Sequence, residues 1–396
     1  MAIEKFFFIV LIIICFFFYV LYIGDFSLIL LIIISALPVY MFVTLLITKF
    51  SLSSKLVAYG KNFTKNEPFD VKLTVKNRSI FSCAKAEAVI KYTNLFGYEE
   101  NEIEIHFPIH ARNTQNVIFQ LKSKFSGEIK IQTEYITIYD PLKIFKFRVS
   151  KKISTGVIVM PSPHEISGVI TYGECQNDEG NMYSQFKPGD DPSEVYDLRE
   201  YVGGDKINRI HWKLSTKKDE FIVKELSLPI DVSATFFLDL NFKEKSEYTL
   251  PVFDTLLESL MSLSDFMLEN EKPHIIICYN EELNEFENVK ITNYDELSAL
   301  IYRIIVKYSA DSAEDKSFGK YIKTKSDFEF SSFTYISSNF SDDDVKMINE
   351  EIEAEIKNMI VVTKNVSDLP ESNDAGINIT EVPIGKISSA INCIEL

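Results

Sequence analysis

The sequence predicts a multidomain membrane protein, in which an N-terminal transmembrane helical hairpin precedes an all-β sandwich and a Rossmann-type α/β domain with a mostly parallel sheet. Two long apolar runs open the chain, residues 56–161 alternate apolar and polar positions, and buried strands alternate with helical patterns after Ser233. The predicted domains are two transmembrane helices over residues 1–50, the sandwich over 51–160, a signature loop region over 161–232 and the α/β domain over 233–396.

The first two segments are apolar enough to span a bilayer. Residues 6–23 and 26–47 are almost uninterrupted apolar runs, separated by Gly24 and Asp25. A hydrocarbon core of about 30 Å needs roughly 20 helical residues, so each run is long enough and the break is a tight turn. A cleavable signal peptide is the alternative for the first run, but no small-residue cleavage site precedes the second run, which would itself stop transfer. We therefore expect residues 6–47 to contact lipid as a multi-pass anchor in the cell membrane.

Flanking cations predict the orientation of the anchor. Lys5 precedes the first run, Lys49 and Lys55 follow the second, and the connecting turn carries only Asp25. The large soluble part is therefore expected in the cytoplasm. The opposite topology would make it an extracellular adhesion module.

Charge and cysteine content exclude several classes of partner. The formal net charge of −16 argues against nucleic-acid binding and against broad adsorption to anionic lipid, because both depend on basic residues. The 5 cysteines are scattered without a C-x-x-C pair, so neither a disulfide framework nor a zinc site is expected. Haem and nucleotide motifs are also missing from the sequence.

Period-two alternation predicts the sandwich. It is clearest in "PFDVKLTVKN", "NEIEIHF", "QNVIFQL" and "GEIKIQTEYITIY", which are separated by turn-forming residues at the spacing of a small antiparallel sandwich. The domain is interpreted as a spacer above the membrane. The alternative is a docking surface for another membrane protein.

Glycine, proline, asparagine and aspartate clusters follow the sandwich. The stretches "PSPHEISG", "GECQNDEGN" and "KPGDDP" predict loops from Pro161 to about Gly189. After them, "SATFFLDL", "HIIICYN", "FTYISS", "IVVTKN" and "INITEVPI" predict buried strands. Helices are predicted over residues 251–269, 294–308 and 341–359, the last with Ser341 as its N-cap.

The end of the first buried strand is a candidate metal position. Ligands of open parallel sheets usually bind beyond the carboxyl ends of the strands, and Asp239 stands there. A von Willebrand A-type domain uses the pattern D-x-S-x-S at this place, whereas this chain has Asp239, Asn241 and Lys243. An amide oxygen of Asn241 suits Mg²⁺ but the Lys243 cation does not. We expect no cofactor; if one binds, Mg²⁺ at Asp239 and Asn241 is the candidate.

The densest motif lies in residues 199–225, "REYVGGDKINRIHWKLSTKKDEFIVKE", which contains the single tryptophan. This stretch resembles the signature of the domain of unknown function 58 family, R-E-Y-x-x-G-D-x-x-R-x-I-H-W-K followed by V-K/R-E. The matching residues are Arg199, Glu200, Tyr201, Gly204, Asp205, Arg209, His211, Trp212, Lys213, Lys224 and Glu225. Paired membrane spans and a D-P-L-x-x-F phrase that begins at Asp140 extend the resemblance.

The resemblance implies a bacterial membrane protein with a C-terminal von Willebrand A-like domain. Family members are often encoded with MoxR-type AAA ATPases, so the expected role is that of a non-catalytic adaptor. The signature residues would then form a partner-binding surface, or a structural clasp in which arginines and lysines pair with aspartates near Trp212.

A catalytic interpretation remains open. His211 would act as general base among Asp190, Asp191 and Asp205 in metal-dependent phosphoester hydrolysis. The chain has no G-x-x-x-x-G-K, H-E-x-x-H or G-x-S-x-G motif to support an enzyme. No catalytic residue is therefore assigned.

Overall fold

The structure is a computed structural model, which divides into two compact units, Met1–Pro161 and Ser162–Leu396. It describes residues 2–22, 24–97, 100–149, 152–170, 182–189, 191–203, 206–218, 220–230, 234–242, 246–307, 318–324, 329–364, 376–391 and 394–396.

Two apolar helices begin the first unit, α1 (Ala2–Leu21) and α2 (Asp25–Ser51). Both are long and apolar enough, by length and composition, to cross a membrane. The turn between them is closed by Ser27, whose hydroxyl lies 2.6 Å from the carbonyl oxygen of Tyr22 and 2.8 Å from that of Gly24. The predicted pair of apolar helices is therefore present.

A β-sandwich completes this unit. One sheet has the order β1-β3-β6 and the other the order β2-β9-β7-β4-β5, with β8 also paired to β7. Alternate residues of β3 are buried, as its sequence predicts, and side chains of both sheets share one apolar core. The strands are β1 (Leu52–Ala58), β2 (Asn62–Thr64), β3 (Phe69–Asn77), β4 (Cys83–Asn94), β5 (Glu100–Ile109), β6 (Thr114–Leu121), β7 (Gly127–Tyr139), β8 (Lys146–Val149) and β9 (Ile153–Met160).

The D-P-L-x-x-F phrase forms the junction between α2 and the sandwich. Asp140 is buried, and its carboxylate accepts hydrogen bonds from the backbone amides of Leu142 (3.1 Å) and Phe145 (2.6 Å). This turn holds the Phe145 ring edge-on to Phe42 of α2, with 5.5 Å between ring centroids. The phrase therefore has a structural role in seating the sandwich on the second helix.

The second unit contains a small antiparallel sheet with the order β11-β13-β12, formed by β11 (Met182–Gly189), β12 (Asp191–Glu200) and β13 (Ile222–Ile230). A short parallel pair, β10 (Gly168–Val169) with β20 (Ile394–Glu395), belongs to the same unit. Loops were predicted from Pro161 to about Gly189, and that prediction is wrong over Met182–Gly189, which forms β11. Pro188 and Pro192 lie on the two edge strands, near register shifts, where the missing amide hydrogen of proline is tolerated.

A six-stranded sheet forms the centre of the second unit, in the order β16-β15-β14-β17-β18-β19. Every neighbouring pair is parallel except β15 with β16. The strands are β14 (Ala234–Leu238), β15 (His274–Asn280), β16 (Glu285–Ile291), β17 (Glu329–Ser337), β18 (Glu353–Thr363) and β19 (Asn378–Pro383). The helices of this unit are α3 (Trp212–Lys218), α4 (Thr249–Glu269), α5 (Tyr294–Lys307), α6 (Phe318–Thr324), α7 (Asp342–Glu351) and α8 (Ile387–Ala390).

Helices cover both faces of this sheet. Consecutive residues of a strand point to opposite faces. Phe237 packs with Phe318 of α6 and Ile348 of α7, whereas the neighbouring Phe236 contacts His274, which is hydrogen-bonded to Ser264 of α4. The sequence correctly predicted alternating strands and helices here.

The prediction of one helix over residues 341–359 is wrong in its second half. Helix α7 ends at Glu351, and β18 begins at Glu353 between strands β17 and β19. Ile352, which separates them, is buried in an extended conformation, and the last residues of β18 are continuously buried. Pairing on both sides therefore outweighs the helical pattern of the charged residues. Ser341 occupies the N-cap position, but its side chain makes no capping hydrogen bond.

Candidate functional site

The signature residues converge on one part of the second unit. Arg199 and Glu200 end strand β12 and pair with Val223 and Ile222 of β13. Lys224 follows on β13, while Arg209 ends a 3₁₀ turn that leads into α3. Gly204 and Asp205 of the signature, together with Asp190, lie outside the described residues, as do the side chains of Asp191 and Glu225. Pairing of the signature cations with these carboxylates stays a prediction.

His211 is the N-cap of helix α3. Its ring Nδ1 accepts a hydrogen bond from the backbone amide of Leu214 at 3.2 Å, and its own amide donates to the carbonyl of Ile222 at 2.8 Å. Side chains at this position satisfy amides that lack partners in the first helical turn. A neutral imidazole that accepts at Nδ1 carries its proton on Nε2, which makes the outer nitrogen a donor and not a base.

Ser215 joins the helix to the sheet. Its buried hydroxyl donates to the carbonyl of His211 (3.1 Å) and accepts from the amide of Ile222 (2.9 Å). A backbone bridge between Ile210 and Val223 lies next to this bond. Sequence analysis missed Ser215, because a serine within "KLSTKK" carries no sign that it is buried. The described contacts of the clasp thus include backbone groups, the Ser215 hydroxyl and the His211 ring.

Three exposed aromatic rings line this element, and we call Tyr201, Trp212 and Phe221 the aromatic patch. Phe221 lies edge-on to Tyr201 (6.3 Å between centroids) and to Trp212 (6.2 Å). Trp212 is 57% exposed and Phe221 58%. Phe221 was not among the predicted site residues; it directly precedes β13, whose first residues Ile222 and Val223 are both buried.

Cations surround the aromatic patch. Lys213 is exposed, whereas Arg199, Arg209 and Lys224 are half-buried. One guanidinium nitrogen of Arg199 donates to the carbonyl of Glu200 at 3.1 Å. Because Glu200 and Glu220 are also exposed next to the patch, the site combines exposed aromatic area with charges of both signs.

We expect His211→Ala to lower the free energy of unfolding by about 0.5 kcal/mol, because the Leu214 amide loses the ring acceptor but keeps the His211 carbonyl oxygen at 2.9 Å. His211→Asn should recover most of this loss, since asparagine is a favourable N-cap residue. Hydrogen exchange of α3 in the full chain measures both effects. Equal protection in wild type and His211→Ala would show that the ring does not cap the helix.

The candidate metal position at Asp239 is occupied by hydrogen bonds. The Asp239 carboxylate is buried; one oxygen accepts from the Tyr335 hydroxyl at 2.5 Å and the other from the Asn241 amide at 2.8 Å. Burial, and then the nearby Asp239 charge, hold the pKa of Tyr335 well above its usual range, so the hydroxyl remains a donor. The carbonyl oxygen of Asn241 in turn accepts from the Asn339 amide at 2.7 Å.

Each carboxylate oxygen of Asp239 accepts one hydrogen bond and keeps a second lone pair, so Mg²⁺ at Asp239 and Asn241 stays a prediction. Within the described ranges, Asp239 is not part of a group of three His, Cys, Asp or Glu side chains close enough to share an ion. Lys243 lies outside those ranges.

Tyr335→Phe should lower the free energy of unfolding by about 2 kcal/mol, because it removes a donor from a buried carboxylate. In a double-mutant cycle with Asp239→Ala, the double mutant should lose less stability than the sum of the two single losses, since each single change removes the same bond. Urea unfolding of the four chains tests this, and strict additivity would contradict the pairing.

One group on the sandwich lies within reach of a single cation. Glu87 of β4 and Glu104 and His106 of β5 place one ligand atom each within 4.8 Å of one another. A hydrogen bond between the two carboxyl groups lowers the pKa of Glu87 and raises that of Glu104, while the Tyr139 hydroxyl donates to Glu87 at 2.9 Å.

A small cavity of about 20 Å³ lies near the carboxyl ends of β14 and β15, where it is lined by Leu240, Cys278, Glu287 and Arg303. Its volume matches a water molecule. Burial, and then the Glu287 charge, raise the pKa of the Cys278 thiol to about 12. Cys278 is therefore protonated at neutral pH, which does not suit a nucleophile.

Comparisons with known proteins give no family. No family model and no curated protein matches the chain. Solved structures that are similar over part of the chain include a CARDB domain from Pyrococcus furiosus in complex with di-metal ions (11% identity, TM-score 0.21, 28% of this chain and 87% of that one). A β-glucosidase from Erythrobacter marinus shows 12% identity and a TM-score of 0.22, over 28% of this chain and 15% of that one. The C-terminal domain of wzt shows 13% identity and a TM-score of 0.23, over 28% of this chain and 75% of that one. Likeness at this level carries no functional argument.

Proposed function

We propose that this chain is a membrane-anchored, non-catalytic adaptor that binds a protein partner through the aromatic patch. The observation that carries the proposal is the exposure of Trp212 and Phe221 on a segment whose backbone is fixed by hydrogen bonds to β13. Aromatic residues are enriched among the anchors of protein interfaces, and contiguous exposed apolar area of this kind marks interaction sites.

The partner we propose is a MoxR-type AAA ATPase. This choice rests on the signature in residues 199–225, which resembles the domain of unknown function 58 family. The same resemblance makes the six-stranded sheet a von Willebrand A-like domain, and the mostly parallel strand order is compatible with that assignment. The adaptor role does not depend on a metal at Asp239.

The hydrolase alternative has less support. His211 uses Nδ1 as a helix cap, and its Nε2 is a donor in the neutral form. Of the aspartates it would need, Asp190 and Asp205 lie outside the described residues. No described contact brings a carboxylate to the imidazole of His211.

The proposal is tested by purifying the full chain from gently solubilised membranes, with and without nucleotide, and identifying the bound proteins by mass spectrometry. We expect a MoxR-type ATPase with wild type and with the control Leu283→Ala, which removes an exposed apolar side chain elsewhere in the second unit. Arg209→Ala and Trp212→Ala should lose it while retaining thermal stability. Absence of the ATPase under all nucleotide conditions would refute the partner.

The cytoplasmic location of the soluble part belongs to the same proposal. Cys83 cannot report on it, because this thiol is buried and lies 3.0 Å from the carbonyl oxygens of Lys85 and Tyr139. Lys122, which is exposed, is a better position for an introduced cysteine. In a background with Cys175 and Cys393 replaced by serine, Lys122→Cys should react with an impermeant maleimide only after permeabilisation. Reaction in intact cells would favour the extracellular adhesion module.

A further inference from the structure

Two loops of the sandwich lie beside the end of α2, and we call residues 78–82 and 140–145 the junction loops. Thr48 and Ser79 hydroxyls lie 3.4 Å apart, Phe145 contacts Phe42, and Phe81 contacts Tyr40 with 6.4 Å between ring centroids. Both loops are thereby held alongside residues 40–48 of the helix.

The length of α2 sets the level of these contacts relative to a bilayer. The helix has 27 residues and is therefore about 40 Å long, roughly 10 Å more than a hydrocarbon core. When Asp25 is placed at one surface of the bilayer, the opposite edge of the hydrocarbon core, on the side of the sandwich, falls close to Leu45. Tyr40 and Phe42 then lie one turn inside this edge, and Thr48 lies just outside it.

The exposed chemistry of the junction loops suits that level. Ile80 is 60% exposed and Leu142 is 40% exposed, and both belong to short turns of the sandwich beside α2. Arg78 and Lys143 are exposed beside them. Apolar side chains flanked by cations are typical of segments that enter the headgroup layer, where the cations contact phosphate.

The start of the first helix lies at the same level. Glu4 of α1 is within electrostatic reach of Lys143 in the second junction loop. Since the N-terminus of α1 must lie on the same membrane surface as the end of α2, the second junction loop is bounded by membrane helices on two sides.

We propose that the junction loops form a phospholipid-binding surface that inserts Ile80 and Leu142 into the headgroup layer of the bilayer. This inference rests on the proposed membrane anchor and goes beyond it. The sandwich is then a domain seated on the membrane in a fixed orientation, rather than a spacer on a free tether. Lipid contact at this surface is local and is compatible with the acidic character of the whole chain.

Single-tryptophan variants of the full chain test the inference. In a Trp212→Phe background, Ile80→Trp and Leu142→Trp each place a reporter in a junction loop. Val39→Trp reports on α2, where Val39 is 64% exposed. Lys122→Trp is the matched control on the sandwich. Lys122 follows Leu121, which pairs with Phe69 at the start of β3, whereas the first junction loop follows Asn77 at the other end of this strand. Each variant is placed in vesicles of phosphatidylcholine brominated on its acyl chains and compared with unbrominated vesicles.

We expect bromine to quench the fluorescence of Val39→Trp, Ile80→Trp and Leu142→Trp, and to leave Lys122→Trp unchanged. If Val39→Trp is quenched while both loop reporters are not, the lipid-binding surface is refuted and the anchor stands. If Val39→Trp is not quenched, the anchor and the inference fail together. Quenching of Lys122→Trp as strongly as of the loop reporters would show adsorption of the whole sandwich and would also overturn the inference.

Discussion

Trp212→Ala is expected to weaken binding of the ATPase partner about 100-fold, which corresponds to about 3 kcal/mol. Trp212 is 57% exposed and its ring is supported edge-on by Phe221, so a partner would bury most of its area against a rigid base. Large aromatic side chains of this kind dominate binding energies because they release much apolar surface from water at low entropic cost. Isothermal titration of the detergent-solubilised chain with the purified ATPase measures the change.

Two controls separate lost contact from lost structure. Leu283→Ala removes a comparably exposed apolar side chain from the same unit and should leave the affinity unchanged. Phe221→Ala should weaken binding as well, because it removes the support of Trp212. Wild-type affinity in Trp212→Ala would exclude the aromatic patch as the docking surface, whatever partner is found.

Some of this arrangement could be predicted from the sequence. Tyr201 and Trp212 were recognised from the signature, whereas Phe221 lies just before β13 and no pattern in the sequence marks its ring as exposed. The contact of these three rings could not be predicted, since it depends on how α3 folds back onto β13. That return is made by Ser215 and by backbone groups, which leave no trace in composition or periodicity.

The elements that were predicted correctly are those with a strong local pattern. Strand β3 alternates over its whole length, and α4 places apolar residues at three- and four-residue steps, so each specifies its own structure. Strand β18 has no such local pattern. Its first half resembles the acidic helix before it, and only pairing with β17 and β19 selects the extended form. Asp239 shows the same limit at a site: its position was predicted, but Tyr335 lies 96 residues away and nothing local indicates that it donates to the carboxylate.

His274 should make the second unit less stable in mild acid. The ring is fully buried at the start of β15, its Nε2 lies 2.5 Å from the Ser264 hydroxyl, and its Nδ1 lies 3.3 Å from the carbonyl oxygen of Lys272. Donation from Nδ1 to that carbonyl and from Ser264 to Nε2 satisfies the neutral ring. Burial lowers the pKa of His274 from 6.5 to about 4, because a charged imidazole would lose its hydration.

The sign of the pH dependence follows from that direction. Between pH 6.5 and about 4 the unfolded chain binds a proton at this histidine that the folded chain does not bind. The contribution of the neutral ring to the free energy of unfolding is therefore fully present above pH 6.5 and declines as the pH falls towards 4. The expected total loss is about 3 kcal/mol. Urea titrations of the full chain at several pH values in this window measure this loss, with hydrogen exchange of β15 as the readout.

A non-titrating replacement isolates the contribution of His274. His274→Gln should flatten the pH profile of the second unit within this window, even if its stability at neutral pH is lower, because glutamine retains hydrogen-bonding groups but binds no proton. His106→Gln, in the other unit, should leave the same profile unchanged. A wild-type slope in His274→Gln would assign the acid sensitivity to other titrating groups of the unit, and the neutral buried imidazole would then have no part in it.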